Sequence, residues 1–181
     1  MWNEQIIMML LEGIKDTLYM TLTSTLIGYV IGLPMGILLT VTDKDGIHPN
    51  TAVYKVLDVI ANLIRSVPFL ILLIVLIPFT RFLIGRSYGP TATIVPLVIA
   101  AAPYIARMVE SSLKEVDAGV IEAARSMGAS NFTIVTKVML VEARTSLIVG
   151  ATISLGTILG YSAMAGTVGG GGLGDITIRY G

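Results

Sequence analysis

Four stretches of this chain run almost without charge, and short polar segments separate them. Thr17 to Thr42 is uncharged over 26 residues, enough at about 1.5 Å per residue to cross a hydrocarbon core of about 30 Å as a helix. Val59 to Thr80 is interrupted only by Arg65, near one end, where its stem can snorkel to the headgroups. Ser87 to Ala106 adds 20 uncharged residues and Thr145 to Gly174 adds 30. From Tyr161 onward glycine is too dense for a simple span. The pattern predicts an all-α, polytopic membrane protein, one domain over 1–181. Its four transmembrane helices lie at about 17–42, 59–80, 87–106 and 145–163, and a glycine-rich segment follows at 165–174.

Within the first run Gly28, Gly32 and Gly36 recur every four residues, so they share one helix face and admit a second helix closely. Pro34 lies among them and is expected to bend the helix. Pro68 and Pro78 frame the second run, in "RSVPFL" and "LIPFTR". They free backbone carbonyls at membrane depth, which fits either the wall of a pathway or a simple kink.

The cations orient these spans. Lys44, Lys55 and Arg65 lie between or at the edges of the first two, and Arg107, Lys114, Arg125, Lys137 and Arg144 between the last two. The opposite side holds Lys15, Arg81, Arg86 and Arg179. Eight against four places the first set in the cytoplasm, with the N-terminus and the glycine-rich segment outside.

Composition narrows the function. Charged residues make up 13% of the chain, half the share of about 25% in a soluble domain. The net charge is zero, which argues against nucleic acid as a partner. There is no cysteine, and the one histidine, His48, sits in a loop beside Pro49, so neither disulfide nor metal chemistry is expected. No P-loop, H-E-x-x-H or G-x-S-x-G run occurs. Gly169, Gly171 and Gly174 formally satisfy G-x-G-x-x-G but follow a membrane span, not a buried strand, so no nucleotide site is expected there. Asn131-Phe132-Thr133 fits a glycosylation acceptor, which the cytoplasmic placement discounts. No acid or histidine lies deep in a span, which disfavours an ion-driven transporter.

The segment at about 108–144 is the longest one outside the spans. Asp117 can cap a helix starting near Ala118, with Val120, Ile121, Ala124 and Met127 on its apolar face. Gly128 ends it, and Ser130 or Asn131 starts a second helix with Phe132, Ile134, Val138 and Leu140 on or near its apolar side. On pattern alone this is either a surface loop or a rigid helical elbow. Ala123 and Ala124 are small enough for another protein to approach, and Glu122 offers a carboxylate to a partner's cation or amides.

Residue identity adds to this. "EAARSMGAS" resembles the cytoplasmic EAA signature of bacterial ABC-importer permeases, Glu-Ala-Ala, three residues, Gly, nine residues, then I-x-L-P. It reads here as Glu122, Ala123, Ala124, Gly128, Val138, Leu140 and Val141, with valine for isoleucine and for the usual proline. "LDVIANLIRSVPFLILLIVLIPFTRFLIG", "ATIVPLVIAAAPYIARMVE" and "GYSAMAGTVGGGGLGDI" are similar to segments of methionine-importer permeases.

The resemblance implies a type I ABC importer permease in the bacterial inner membrane, a transport subunit and not an enzyme, working as a homodimer. Two ATPase subunits would hold the ATP and grip the elbow at Glu122, Ala123, Ala124, Arg125 and Gly128, and an external lipoprotein would deliver methionine. No cofactor is expected in the chain itself. Such a chain must borrow its driving force, and rigid-body rocking of its spans would give alternating access. Ser66, Pro68, Tyr161, Ser162 and Met164 are the expected pathway residues, suited to an apolar, polarisable thioether. The family usually has five spans, so this sequence is expected to lack the last. A permease for another small solute, such as phosphonate or glycine betaine, and an inactive fragment or membrane scaffold are the alternatives.

Overall fold

A computed structural model describes residues 4–181, and all its regular elements are helical. Among the described residues, three helices are long and apolar enough to cross a membrane. Helix α1 (Glu4–Thr42) has 39 residues and continues through Pro34; at about 1.5 Å per residue it is about 58 Å long, well beyond a hydrocarbon core. Helix α5 (Pro90–Lys114) runs eight residues past the expected limit at Ala106, because Arg107, Glu110 and Lys114 share one face and neutralise one another there. Helix α9 covers Arg144–Ala165.

The expected helix over 59–80 is not one helix. The chain forms α2 (Thr51–Ser66), α3 (Phe69–Val75) and α4 (Ile77–Ile84). The break falls at Val67 and Pro68, because proline has no N–H to donate and pushes the residue before it out of helical geometry. Only as a bent pair do α2 and α3 count as a fourth span. Leu76 marks a second joint, and Pro78 falls in the first turn of α4, where its missing N–H costs nothing.

The described residues group into two compact units. One holds the residues through Gly28, Ser66–Ala101 and Ser154–Gly181. Its core includes Met20, Leu97, Ile158 and Ala165, each fully buried. The glycine-rich stretch is packed into this core. After a 3-10 turn at Gly166–Val168 the chain forms α10 (Gly172–Tyr180). The Leu173 N–H donates to Thr17 Oγ1 at 2.9 Å, and the Gly89 N–H donates to the Gly169 carbonyl at 2.9 Å.

The second unit comprises Tyr29–Arg65 and Ala102–Ile153. Here the glycine face of α1 meets α5 at backbone distance. A Cβ at Gly32 would lie 2.6 Å from the Ala102 carbonyl oxygen, and one at Gly36 2.5 Å from that of Ala106. No other residue allows so close a crossing. Leu39, Ile105, Leu113 and Ile134 fill the space around it.

The elbow follows α5. Helix α6 (Ala118–Ser126) is succeeded by a short turn α7 (Asn131–Thr133), a π-helical segment at Ile134–Met139 and α8 (Leu140–Glu142). The second helix thus departs from regular α geometry. Its buried residues are Ile134 and Met139, five apart as π winding demands, and Phe132 is 77% exposed.

Candidate functional site

The elbow is held at both ends of α6 by its own sequence. Asp117 accepts a hydrogen bond from the Gly119 N–H at 2.8 Å, satisfying a donor that a helix start leaves free. At the other end Gly128 takes φ +82°. Its N–H then donates to the Arg125 carbonyl at 2.9 Å, and the Ala129 N–H to that of Ala124 at 3.1 Å. This pair of bonds closes the helix in the Schellman pattern. Ser130 at once caps the next turn, accepting from the Thr133 N–H at 3.2 Å.

Three of the expected contact residues, Glu122, Ala123 and Arg125, are exposed along α6, and so is Gly128 just after it. Ala124 is 5% exposed, so its small size serves the packing of α6 on the π-helical segment and not contact with a partner. Met127, expected on the apolar face, is 82% exposed. It lies at the helix C-cap, beyond the last residue whose direction the packed face controls.

Arg125 does more than decorate the surface. Its Nη2 donates to the Ile47 carbonyl at 2.7 Å. That carbonyl belongs to a loop tied to the end of α1, with the His48 N–H donating to the Val41 carbonyl at 3.0 Å and that of Asn50 to Thr42 at 2.9 Å. A groove of about 510 Å³ lies under this tether, with Asp43, Lys114, Ile121, Glu122 and Met139 in its lining.

Beside it runs a row of charges that reading by composition overlooked. Lys114 Nζ lies 2.6 Å from Asp43 Oδ2 and 2.8 Å from Glu110 Oε1. Arg107 Nη1 lies 2.7 Å from Glu110 Oε2, and its Nη2 pairs with Asp58 and donates to Asn62 Oδ1 at 3.0 Å. The Glu110 side chain is only 6% exposed. Lys114 also stands 5.8 Å from the centre of the Tyr54 ring. Its hydrogen bond holds the Asp43 carboxyl below the ordinary value of 3.8, against the opposing pull of partial burial. The signal was present in sequence as the i, i+3, i+7 spacing of Arg107, Glu110 and Lys114. The partners Asp43 and Asp58, 71 and 49 residues before theirs, were not.

Of the expected pathway residues, the fold gathers some and separates others. Tyr161 is half-buried and its ring stacks on Phe69, centroids 4.5 Å apart and planes 5° from parallel. Phe69 follows Pro68 directly, so the break and the aromatic pair form one feature. Ser66 and Pro68 are exposed, as is Met164. Ser162 is 1% exposed; it donates to the Leu159 carbonyl at 2.7 Å and receives the Thr21 hydroxyl at 3.4 Å. It is therefore a packing contact between α1 and α9.

Comparison with known proteins follows the same lines. A family model described as "Binding-protein-dependent transport system inner membrane component" matches residues 8–180. A protein of Vibrio cholerae, "Probable D-methionine transport system permease protein MetI", is 47% identical over 96% of this chain and 77% of its own length. The "D-methionine transport system permease protein MetI" of Escherichia coli K12 is 51% identical over 91% of this chain and 76% of its own. A solved structure, "Inward facing conformations of the MetNI methionine ABC transporter", is 50% identical with a TM-score of 0.97, covering 99% of this chain and 83% of that one.

Proposed function

The chain belongs to the family of binding-protein-dependent transport system inner membrane components, a polytopic all-α permease of the ABC-importer type, and on that premise we propose that it is the translocating subunit of an ATP-driven methionine importer. The observation that carries this reading is the elbow. It is a short helix capped at both ends that offers Glu122, Ala123 and Arg125 outward, in a sequence without a P-loop.

Two ATP-binding subunits grip this elbow from the cytoplasm, and closure around ATP displaces it as a body. A helix whose terminal amides and carbonyls are satisfied transmits that displacement without fraying. A second copy of the chain completes the pathway, and an external binding lipoprotein delivers the solute. The N-terminus lies outside, and the chain is a transport subunit, not an enzyme; it needs no cofactor, since ATP is bound and hydrolysed by the partners.

The substrate rests on the names of relatives about half identical to this chain. Methionine's thioether is apolar and polarisable, and sulfur makes favourable contacts with aromatic rings. The Phe69–Tyr161 pair beside the break at Pro68 and the exposed Met164 provide such surfaces.

The test is reconstitution with an ATPase subunit and a methionine-binding protein. Labelled methionine should enter vesicles only with ATP, and unlabelled D- and L-methionine should compete. Glu122→Ala should cut ATPase association by about tenfold, the loss of one charge-assisted bond at an interface. Uptake of glycine betaine or phosphonate in place of methionine would overturn the substrate, and unchanged association of the Glu122 variant would overturn the docking.

A further inference from the structure

The five charges beside the elbow alternate in sign along one line, Asp43, Lys114, Glu110, Arg107, Asp58. Each cation touches two carboxylates and Glu110 gives one oxygen to each cation. Asp43 follows the last turn of α1, Asp58 is in α2, and the other three occupy one face of α5. Arg125 joins α6 to the same construction through the Ile47 carbonyl. The elbow thus connects to the neighbouring ends of three other helices through hydrogen bonds, ion pairs and the short backbone between Asp43 and Ile47.

We propose that this row of charges is a strut that carries displacement of the elbow from the Ile47 loop, across Lys114, Glu110 and Arg107, to helix α2. The inference rests on the docking reading above and deepens it by naming positioning residues outside the helix that a partner grips.

Three observations support a transmitting role. Partial burial limits solvent competition in the middle of the row, with side-chain exposure of 6% at Glu110 and 18% at Arg107, rising to 32% at Asp58 and 41% at Lys114. The exposed pair Lys44–Asp45, at 85% and 81%, shows what an uncommitted surface contact looks like in the same loop. A partly buried row of alternating charge also resists shear, since sliding by one position would set like charges opposite one another. Finally, the row is central: Lys114 meets Asp43, Glu110 and the Tyr54 ring, so one side chain touches the end of α1, α5 and α2.

The experiment uses the full chain assembled with its ATPase partner in lipid nanodiscs. Amide hydrogen exchange is followed in two segments, the loop at 43–50 and helix α2 at 51–62, with and without a non-hydrolysable ATP analogue. In the parent both segments should respond to the nucleotide. Lys114→Met cuts the strut in its middle. The response of 43–50 should then persist through Arg125, while that of 51–62 falls by about tenfold, within the range by which single residues alter coupling. Lys114→Arg, which keeps the charge between the same carboxylates, should restore it. Asp43→Asn, milder because it keeps an acceptor at the rim, should show the same asymmetry and covers the case in which Lys114→Met does not assemble. An undiminished response of α2 in these variants overturns the strut. So does equal loosening of both segments without nucleotide, the mark of a static brace. Failure of the parent to bind the ATPase overturns the docking reading, and the strut with it.

Discussion

Replacing Gly36 by alanine adds a single methyl group at the place with least room for it. The new Cβ would stand 2.5 Å from the Ala106 carbonyl oxygen and 2.7 Å from Val109 Cβ. Ordinary contact begins near 3.5 Å, so α1 and α5 must part locally by about 1 Å, a gap that forfeits up to about half of the attraction of each contact it opens. The nearest obstacle is backbone, which cannot rotate aside. Overpacking of this kind costs about 1–3 kcal/mol, and alanine's better helix propensity returns about 0.5–1 kcal/mol. The net loss should be about 1–2 kcal/mol, or a fall in Tm of about 2–8 °C for a chain of this size. Thermal unfolding in detergent, followed by circular dichroism at 222 nm, reads it directly. Gly150→Ala is the matched control on α9, because its Cβ would meet Met108 at 3.6 Å, an ordinary contact. That variant should melt at the parent temperature or slightly above. If Gly36→Ala melts no lower than the parent, or both variants move alike, the close crossing does not limit stability and the reasoning is refuted.

Gly128→Val should destabilise the end of α6 by about 1–2 kcal/mol through its positive φ alone, since nothing crowds the position; faster amide exchange at Met127–Ala129 and weaker ATPase association are the expected signs, and unaltered exchange would contradict them. Phe69→Leu keeps an apolar group but removes the stack on Tyr161, which should cost about 1 kcal/mol; a melting temperature equal to the parent's would show that the rings merely lie side by side. Asp43, held below its ordinary value of 3.8 by Lys114, contributes stability above that pH and loses it as pH falls through the lowered value. Stability measured from pH 6 downward should therefore hold to below about pH 4, then fall, and Asp43→Asn should flatten that acid limb; identical profiles would remove the pair from the account.

Much of the elbow is written in local chemistry. Asp117 caps because its carboxylate reaches amides only two residues away, and Gly128 terminates because its own backbone reaches φ +82° without strain. Ser130 restarts the helix for the same local reason as Asp117. The glycine face of α1 was legible as a periodicity, although its partner was not: nothing in Gly32 or Gly36 points to Ala102–Val109. The second span misled because hydropathy registers length and polarity but not direction. It scored Val59–Thr80 as one segment, while Pro68 divides it. The π winding at Ile134–Met139 was hidden for a related reason, since an apolar side chain carries no mark of whether the turn beneath it holds 3.6 residues or more.

The sequence by itself determined the solvent this protein needs, its family, and the local devices that start and stop the elbow, because each depends on residues within a few positions of one another. Tertiary structure alone decided which polar groups meet. Asp58 reaches Arg107 and Asp43 reaches Lys114 across gaps of 49 and 71 residues, and Ala124 turns inward while Ala123 beside it stays exposed. Two adjacent alanines have the same propensity, and a charge tally has no distances in it. Only the packing of helices against one another separates a brace from a surface, and it does so by choosing which side chains lose their water.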